Sequence, residues 1–526
     1  MMFLSSFGRY FVRCNFMKRL IWVYYLAACL IIFLAYLPIL NAYFAGGDDF
    51  REIARAKFED DRNIWLIFTT SHDGNRFRPL DRFATFLTYQ AGGIDPIYFR
   101  SRNIFFHLIN SILFGILISR IIGNDKYGPI LTLIFGLSPI NALAISLAVT
   151  TKAIFGFVFL ITCIIWNRVY YMTTFPWHYQ IVLFVLSCSV IMLHEQGALL
   201  ALLPMVICVA KYFEDGSRRK SWIFSGALLT ILIIAVVALG RYVGGVINSA
   251  PSPKGVAAVA RNLALAITSL FAPFDFLIVF GKDAVTRSEV RFISNPMEYL
   301  VQIIIYFGSL ILVISLIIIA FVRVFQENNQ IYLRRLLFFT CGLAATLLPV
   351  ILYSDYSEIY DYVPSIFAIG LIAYSIKCLV SLSPPRFDRR IGASLLIVAI
   401  ISLGMFTLNR NLILASVAEN TKSILMSIPK IITNPDSEAK LIFLNEPIRN
   451  DGYSLYGLEG VGSFEEFGIQ PAVQLVYGRT DLSASLMKDG GVTAACSQSD
   501  AHELYILKWD DMAKKLSRVN CTFVEQ

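Results

Sequence analysis

The sequence predicts an all-α polytopic membrane protein with about eleven transmembrane helices, followed by a small C-terminal α/β domain. Hydrophobic residues make up 56% of the 526-residue chain and charged residues only 16%. Mean hydropathy is +0.64, more apolar surface than a water-soluble fold can hide. Apolar runs of about 20 residues recur between Leu20 and Leu408, each long enough at about 1.5 Å per residue to cross roughly 30 Å of hydrocarbon. They must be helical, because an open strand leaves backbone groups unpaired in lipid. After Arg410 the pattern changes to scattered charge, turn signals such as Asn450-Asp451-Gly452, and the short apolar runs 441–444 and 504–507. A membrane domain over 1–410 and a polar domain over 411–526 follow.

Arg9, Arg13, Lys18 and Arg19 precede the first apolar run, about 20–40, which reads as a start-transfer anchor with its N-terminus in the cytoplasm. The first loop, 41–100, is then outside. Further spans are expected at about 103–122, 128–147, 153–167, 179–193, 197–211 and 221–240, placing Arg120, Lys126, Arg168, Lys211, Arg218, Arg219 and Lys220 inside. A second outer loop covers 241–297. Its apolar stretch 261–280, interrupted by Pro273 and Asp275, is expected to be re-entrant or interfacial, since a span there would put Arg323, Arg334 and Arg335 outside. Spans at about 299–322, 336–353, 362–380 and 391–409 leave the C-terminal domain outside. The net charge of +8 lies in these short loops rather than on one face, which argues for topology and against nucleic acid.

The nine cysteines follow no metal-ligand spacing, and Cys29, Cys163, Cys188, Cys208, Cys341 and Cys378 lie in or beside apolar runs. Cys496 and Cys521 fall in the polar domain, where an oxidising compartment favours pairing.

Polar residues concentrate in the first loop, in 241–296 and in 354–361, all on one side of the membrane in this topology. Asp48 and Asp49 follow the first span directly, beyond Gly46-Gly47, where glycine lets the chain turn sharply. A carboxylate placed there can serve as a general base or simply cap the next helix. Arg76 and Arg78 have the geometry to clamp a phosphate, or to bind lipid headgroups. His107 and Asn110, three apart in the second span, share a face toward the bundle. His194-Glu195 places an ionisable pair at a membrane boundary, a functional candidate that also supplies two ligands for a divalent metal.

These motifs in this order resemble the membrane-embedded glycosyltransferases of the GT-C class, which include protein O-mannosyltransferases, lipid A aminoarabinose transferases and bacterial surface-polysaccharide sugar transferases. The carriers are Asp48-Asp49, Arg78-Pro79-Leu80, the stretch from Asn103 to Asn110, His194-Glu195 with the apolar run to Pro204, and Tyr360-Asp361-Tyr362-Val363-Pro364. The resemblance implies a polyprenyl-phosphate-linked sugar donor, inverting transfer to a glycan, lipid or protein outside the cytoplasm, and Asp48, before Asp49, as the base. It also implies phosphate binding by Arg76, Arg78, His194, Glu195, Tyr360 and Tyr362. His194 stands where relatives often carry Lys, and Ile359 where they often carry a basic residue. Lys152, Arg241 and Lys282 are the outer-side cations available to substitute.

Two other functions remain open on sequence alone. A polysaccharide polymerase or ligase would place its charged residues in one large late outer loop, whereas the first loop is the richer one here. A lipid-linked sugar flippase or transporter predicts charges at mid-span and internal pseudo-symmetry. Short loops without a retention signal point to a bacterial inner membrane.

Overall fold

Eight helices among the described residues are long and apolar enough to cross a membrane, or nine if one bent pair counts as a single span. The chain is an integral, multi-pass membrane protein. The computed structural model describes residues 2–519 apart from 72–76, 173, 207, 210–219, 246–253, 272–295, 354–356, 383–388, 445–464, 488–503, 511–512 and 514. In chain order the helices are α1 (Met2–Leu40), α2 (Gly47–Arg55), α3 (Leu66–Thr69), α4 (Pro79–Gly92), α5 (Pro96–Ile122), α6 (Gly128–Gly136), α7 (Ala142–Ser146), α8 (Lys152–Tyr170), α9 (Trp177–Leu193), α10 (Lys220–Val243), α11 (Val256–Phe271), α12 (Pro296–Gln326), α13 (Gln330–Tyr353), α14 (Pro364–Leu382) and α15 (Arg389–Ile431).

The expected count of eleven is not reached among the described residues, for reasons of length and breakage. The expected fifth and sixth spans are the shorter apolar helices Trp177–Leu193 and Glu195–Val206. The expected third is α6 and α7, bent by 52° around Pro139. Proline lacks an N–H, so the break frees carbonyls inside the bundle. Side chains take them up: Asn141 donates to the Phe135 carbonyl at 2.9 Å, Thr407 to Leu137 at 2.7 Å, and Arg410 to Pro139. Residues 261–271 of the stretch 261–280 form the second part of α11; Pro273 and Asp275 lie outside the described residues.

Local signals set the helix ends. Asp95 caps α5, accepting from the Ile97 amide at 3.0 Å, with Pro96 at the first helical position. Gly123 ends it in the left-handed region at φ 83°, its amide reaching back to Ser119 at 2.9 Å. The bundle core joins Ile32 and Tyr36 of α1, Phe114 and Ile118 of α5, Phe155 and Phe159 of α8, and Phe339 and Phe367 of α13 and α14. Arg335 of α13 donates to the Ile121 carbonyl at 2.5 Å, so the basic segments around 120 and 335 share one end of the bundle.

The long helix α15 runs unbroken through the expected 410/411 boundary. The apolar runs 441–444 and 504–507 become strands in a four-stranded sheet of β1 (Lys440–Leu444), β2 (Ser483–Met487), β3 (Leu504–Asp510) and β4 (Lys515–Val519), in the order β2-β1-β3-β4. β1 pairs in parallel with β2 and β3, Leu441 lying opposite Ala484 and Tyr505, and β3 pairs antiparallel with β4. Helix α16 (Glu465–Tyr477) links β1 to β2 and packs on α2. The first loop and the C-terminal domain therefore lie at the same end of the molecule. Cys496 and Cys521 lie outside the described residues.

Candidate functional site

The acidic turn opens α2. Gly46 adopts φ 99°, a conformation that glycine reaches without strain and that lets the chain leave α1 and restart at Gly47. Successive helical residues point about 100° apart, and the two aspartates diverge accordingly. Asp48 faces solvent, its side chain 58% exposed, and pairs with Arg51 at 2.8 Å. Asp49 is 1% exposed and accepts from the Ala45 amide at 3.2 Å and the Val149 amide at 3.0 Å. Burial pushes its carboxyl up from 3.8 to about 6, against the pull of Arg100 and the amide bonds. Arg100 binds the same two segments from the other side, donating to the carbonyls of Ala42 (2.9 Å), Tyr43 and Ser146. The turn is thus tied to the loop 146–151 that opens α8.

At the start of α8, Lys152 is 6% exposed, with Nζ 2.6 Å from His194 Nε2 and 3.4 Å from Gln196 Oε1. It also lies 4.6 Å from the centre of the Tyr360 ring, a cation–π arrangement. Gln196 donates to the Tyr360 carbonyl at 2.7 Å, and the His194 and Tyr360 rings are 5.6 Å apart. Arg78, immediately before α4, forks onto Glu195, with Nε 2.8 Å from both carboxylate oxygens and Nη2 2.5 Å from Oε2. Five residues singled out in the sequence, Arg78, Lys152, His194, Glu195 and Tyr360, therefore meet although they come from four separate segments.

Asp81, one turn into α4, joins this cluster. It accepts from Thr151 and lies in the fields of Arg78, Lys152 and Arg102; burial nevertheless raises its pKa. Arg102 fixes the adjoining loop through the carbonyls of Ala148 at 3.1 Å and Thr150 at 2.9 Å. Glu52, one turn after Asp48, is raised to about 7 by burial; Arg55 and Arg51 lower it, while Asp81 and Asp48 push it further up. A line of interacting charges thus runs from Asp48 through Glu52 and Asp81 to Arg78 and Lys152. Arg241 borders a small, partly open neighbouring groove of about 60 Å³, lined also by Phe77, Ile191, Met192, Glu195 and Val237. Phe77 reaches that groove because Gly240 and Gly244 offer no Cβ where its ring packs.

Tyr362, expected beside Tyr360, instead turns into the bundle. Its hydroxyl lies 2.8 Å from His107 Nδ1 and accepts from Asn110 at 2.9 Å, burying all three side chains. A hydroxyl deep in the bundle needs such partners. Arg76 and Lys282 lie outside the described residues. Among the described residues no group of three or more His, Cys, Asp or Glu side chains is placed to hold a metal.

Asp81, Arg102 and Gln196 were not assigned roles from the sequence. Each directly adjoins or follows a motif that was, Asp81 ending the Arg78-Pro79-Leu80 run and Gln196 following Glu195. Glu52 carried no signal beyond its i+4 spacing from Asp48.

No family model and no curated protein matches the chain. Among solved structures, the fold is similar to that of ArnT from Cupriavidus metallidurans in the apo state, with a TM-score of 0.39, 13% identity and coverage of 93% of both chains. It is also similar to ArnT from the same organism bound to undecaprenyl phosphate, with a TM-score of 0.38, 11% identity and the same coverage.

Proposed function

We propose that this chain is a membrane glycosyltransferase of the GT-C kind, moving a sugar from a polyprenyl-phosphate-linked donor to an acceptor on the extracytoplasmic side. The observation that carries the reading is the meeting of Arg78 and Lys152 with His194, Glu195 and Tyr360 at the end of the bundle that also holds the acidic turn. Two cations, with Arg102 and Arg241 near them, suit a phosphate at the membrane surface, and a carboxylate close by suits a reacting hydroxyl. Because Glu195 occupies the Arg78 fork, an incoming phosphate takes over that fork or approaches its outer edge.

In the proposed step the acceptor oxygen attacks the anomeric carbon as the bond from that carbon to the phosphate oxygen breaks. Asp48 takes the acceptor proton, and polyprenyl phosphate leaves with the bonding pair, its charge held by Arg78 and Lys152. Configuration inverts in a single displacement. Asp48 is the better base because its carboxylate is exposed and keeps one oxygen outside the Arg51 contact, whereas both Asp49 oxygens are spent on backbone amides. Acceptors are a glycan, a lipid or a protein outside the cytoplasm, and the expected location is a bacterial inner membrane.

The test uses the full chain in lipid nanodiscs with polyprenyl phosphate alone as the probe. Binding is expected, and Lys152→Met and Arg78→Gln should each weaken it about tenfold, the loss of one charge-assisted hydrogen bond. Asp48→Asn should bind normally but transfer about a hundredfold to ten-thousandfold more slowly. Absence of binding by the unaltered protein, or binding by both cation variants as tight as that of the unaltered protein, overturns the proposal.

A further inference from the structure

The C-terminal domain meets the acidic turn backbone to backbone. A Cβ placed on Gly468, near the start of α16, would stand 2.3 Å from the Cα of Gly47 and 3.1 Å from its carbonyl carbon and oxygen. Gly468 is buried, and backbone on the far side cannot swing away as a long side chain does. Around this contact Ile469, Ala472 and Val473 of α16 share one apolar cluster with Phe44, Phe50 and Ile53. From another direction, Val417 and Ala418 of α15 close on Ala42 and Ala45. Asp49 ties the turn to Val149 on a third side.

We propose that Gly468 is a positioning residue for the transfer site: its missing side chain lets the C-terminal domain set where Asp48 stands relative to the cations at Arg78 and Lys152. The inference rests on the function proposed above. An added methyl has no room, so α16 or the first turn of α2 must move. A misplacement of about 1 Å is enough to cost about a hundredfold in rate. The residues proposed to bind phosphate lie just before α4, at the start of α8 and in the turns after α9 and α13, none of which makes this contact, so donor binding should not follow.

The variants are Gly468→Ala and, as control, Gln470→Ala on the exposed face of the same helix, both in the full chain in nanodiscs. Three quantities are read: hydrogen exchange at the Ala45 and Val149 amides, binding of polyprenyl phosphate, and kcat and KM for sugar release from a panel of polyprenyl-phosphate-linked hexoses and pentoses. Gly468→Ala should speed exchange at both amides and lower kcat about a hundredfold, with KM and polyprenyl-phosphate binding unchanged; Gln470→Ala should alter none of them. Unchanged exchange, or faster exchange with full kcat, overturns the proposal, and so does a loss of binding as large as the loss of kcat, which would mark general unfolding. If the unaltered protein releases no sugar from any donor, the glycosyltransferase reading fails separately, and exchange alone decides whether Gly468 places the turn.

Discussion

Asp48 and Asp49 show how far neighbouring identical residues can diverge. Sequence places both at the start of a helix, and only the fold exposes one and encloses the other between two loops. Asp49 then has a measurable signature. Its carboxyl is raised from 3.8 to about 6 by burial, so the folded chain binds that proton more tightly than the unfolded chain does. The stability this group contributes is therefore fully present below about pH 4 and is lost as pH rises through about 6. Asp49→Asn cannot titrate. Melting temperatures of wild type and variant in nanodiscs should show wild type losing ground relative to Asp49→Asn between pH 4 and 6, with a constant difference above pH 7. A difference independent of pH across that range would show that the carboxyl is not shifted.

At the scale of elements, close helix packing rests on absent side chains. A Cβ on Gly115 of α5 would lie 2.2 Å from Thr132 Oγ1 and 2.5 Å from the Gly128 carbonyl oxygen of α6. Lipid offers little hydrophobic force between helices, so such close approach is where packing energy arises. Gly115→Ala should destabilise by about 1–3 kcal/mol, as overpacking does, and lower the melting temperature. Gly308→Ala is the matched control, because nothing lies within 4 Å of its Cβ position; equal effects of the two would show that α5 and α6 do not touch there. The 52° bend at Pro139 belongs to this scale too. Hydropathy read 128–147 as one straight span because a proline break with its carbonyls satisfied by Asn141, Thr407 and Arg410 leaves the apolar run intact.

Across the whole molecule, α16 against α2 fixes the first loop and the C-terminal domain at one end, with the turn between α12 and α13 expected at the other. Cysteines introduced at the exposed positions Asp61, Gln470 and Asn328 provide the check in intact cells with a membrane-impermeant thiol reagent. Positions 61 and 470 should label together from outside and position 328 only after permeabilisation. Labelling of 61 without 470 would break the shared-side arrangement.

The sequence by itself determined the solvent of this chain and the residues worth watching. Long apolar runs dictate helices in lipid, and a helix-period spacing turns His107 and Asn110 inward, where both are found. The short apolar runs 441–444 and 504–507 between polar segments point to a small α/β domain, and both are strands of its sheet. Which residues act together was decided only in three dimensions. Arg78 meets Glu195 across 117 positions and Lys152 meets His194 across 42, separations at which no periodicity carries information. The same holds for Tyr360 and Tyr362, two apart in sequence, of which one borders the lysine and the other fills the bundle. Gly468 carried no signal at all, since the need for glycine there comes from a backbone that arrives from Gly47, more than four hundred residues earlier.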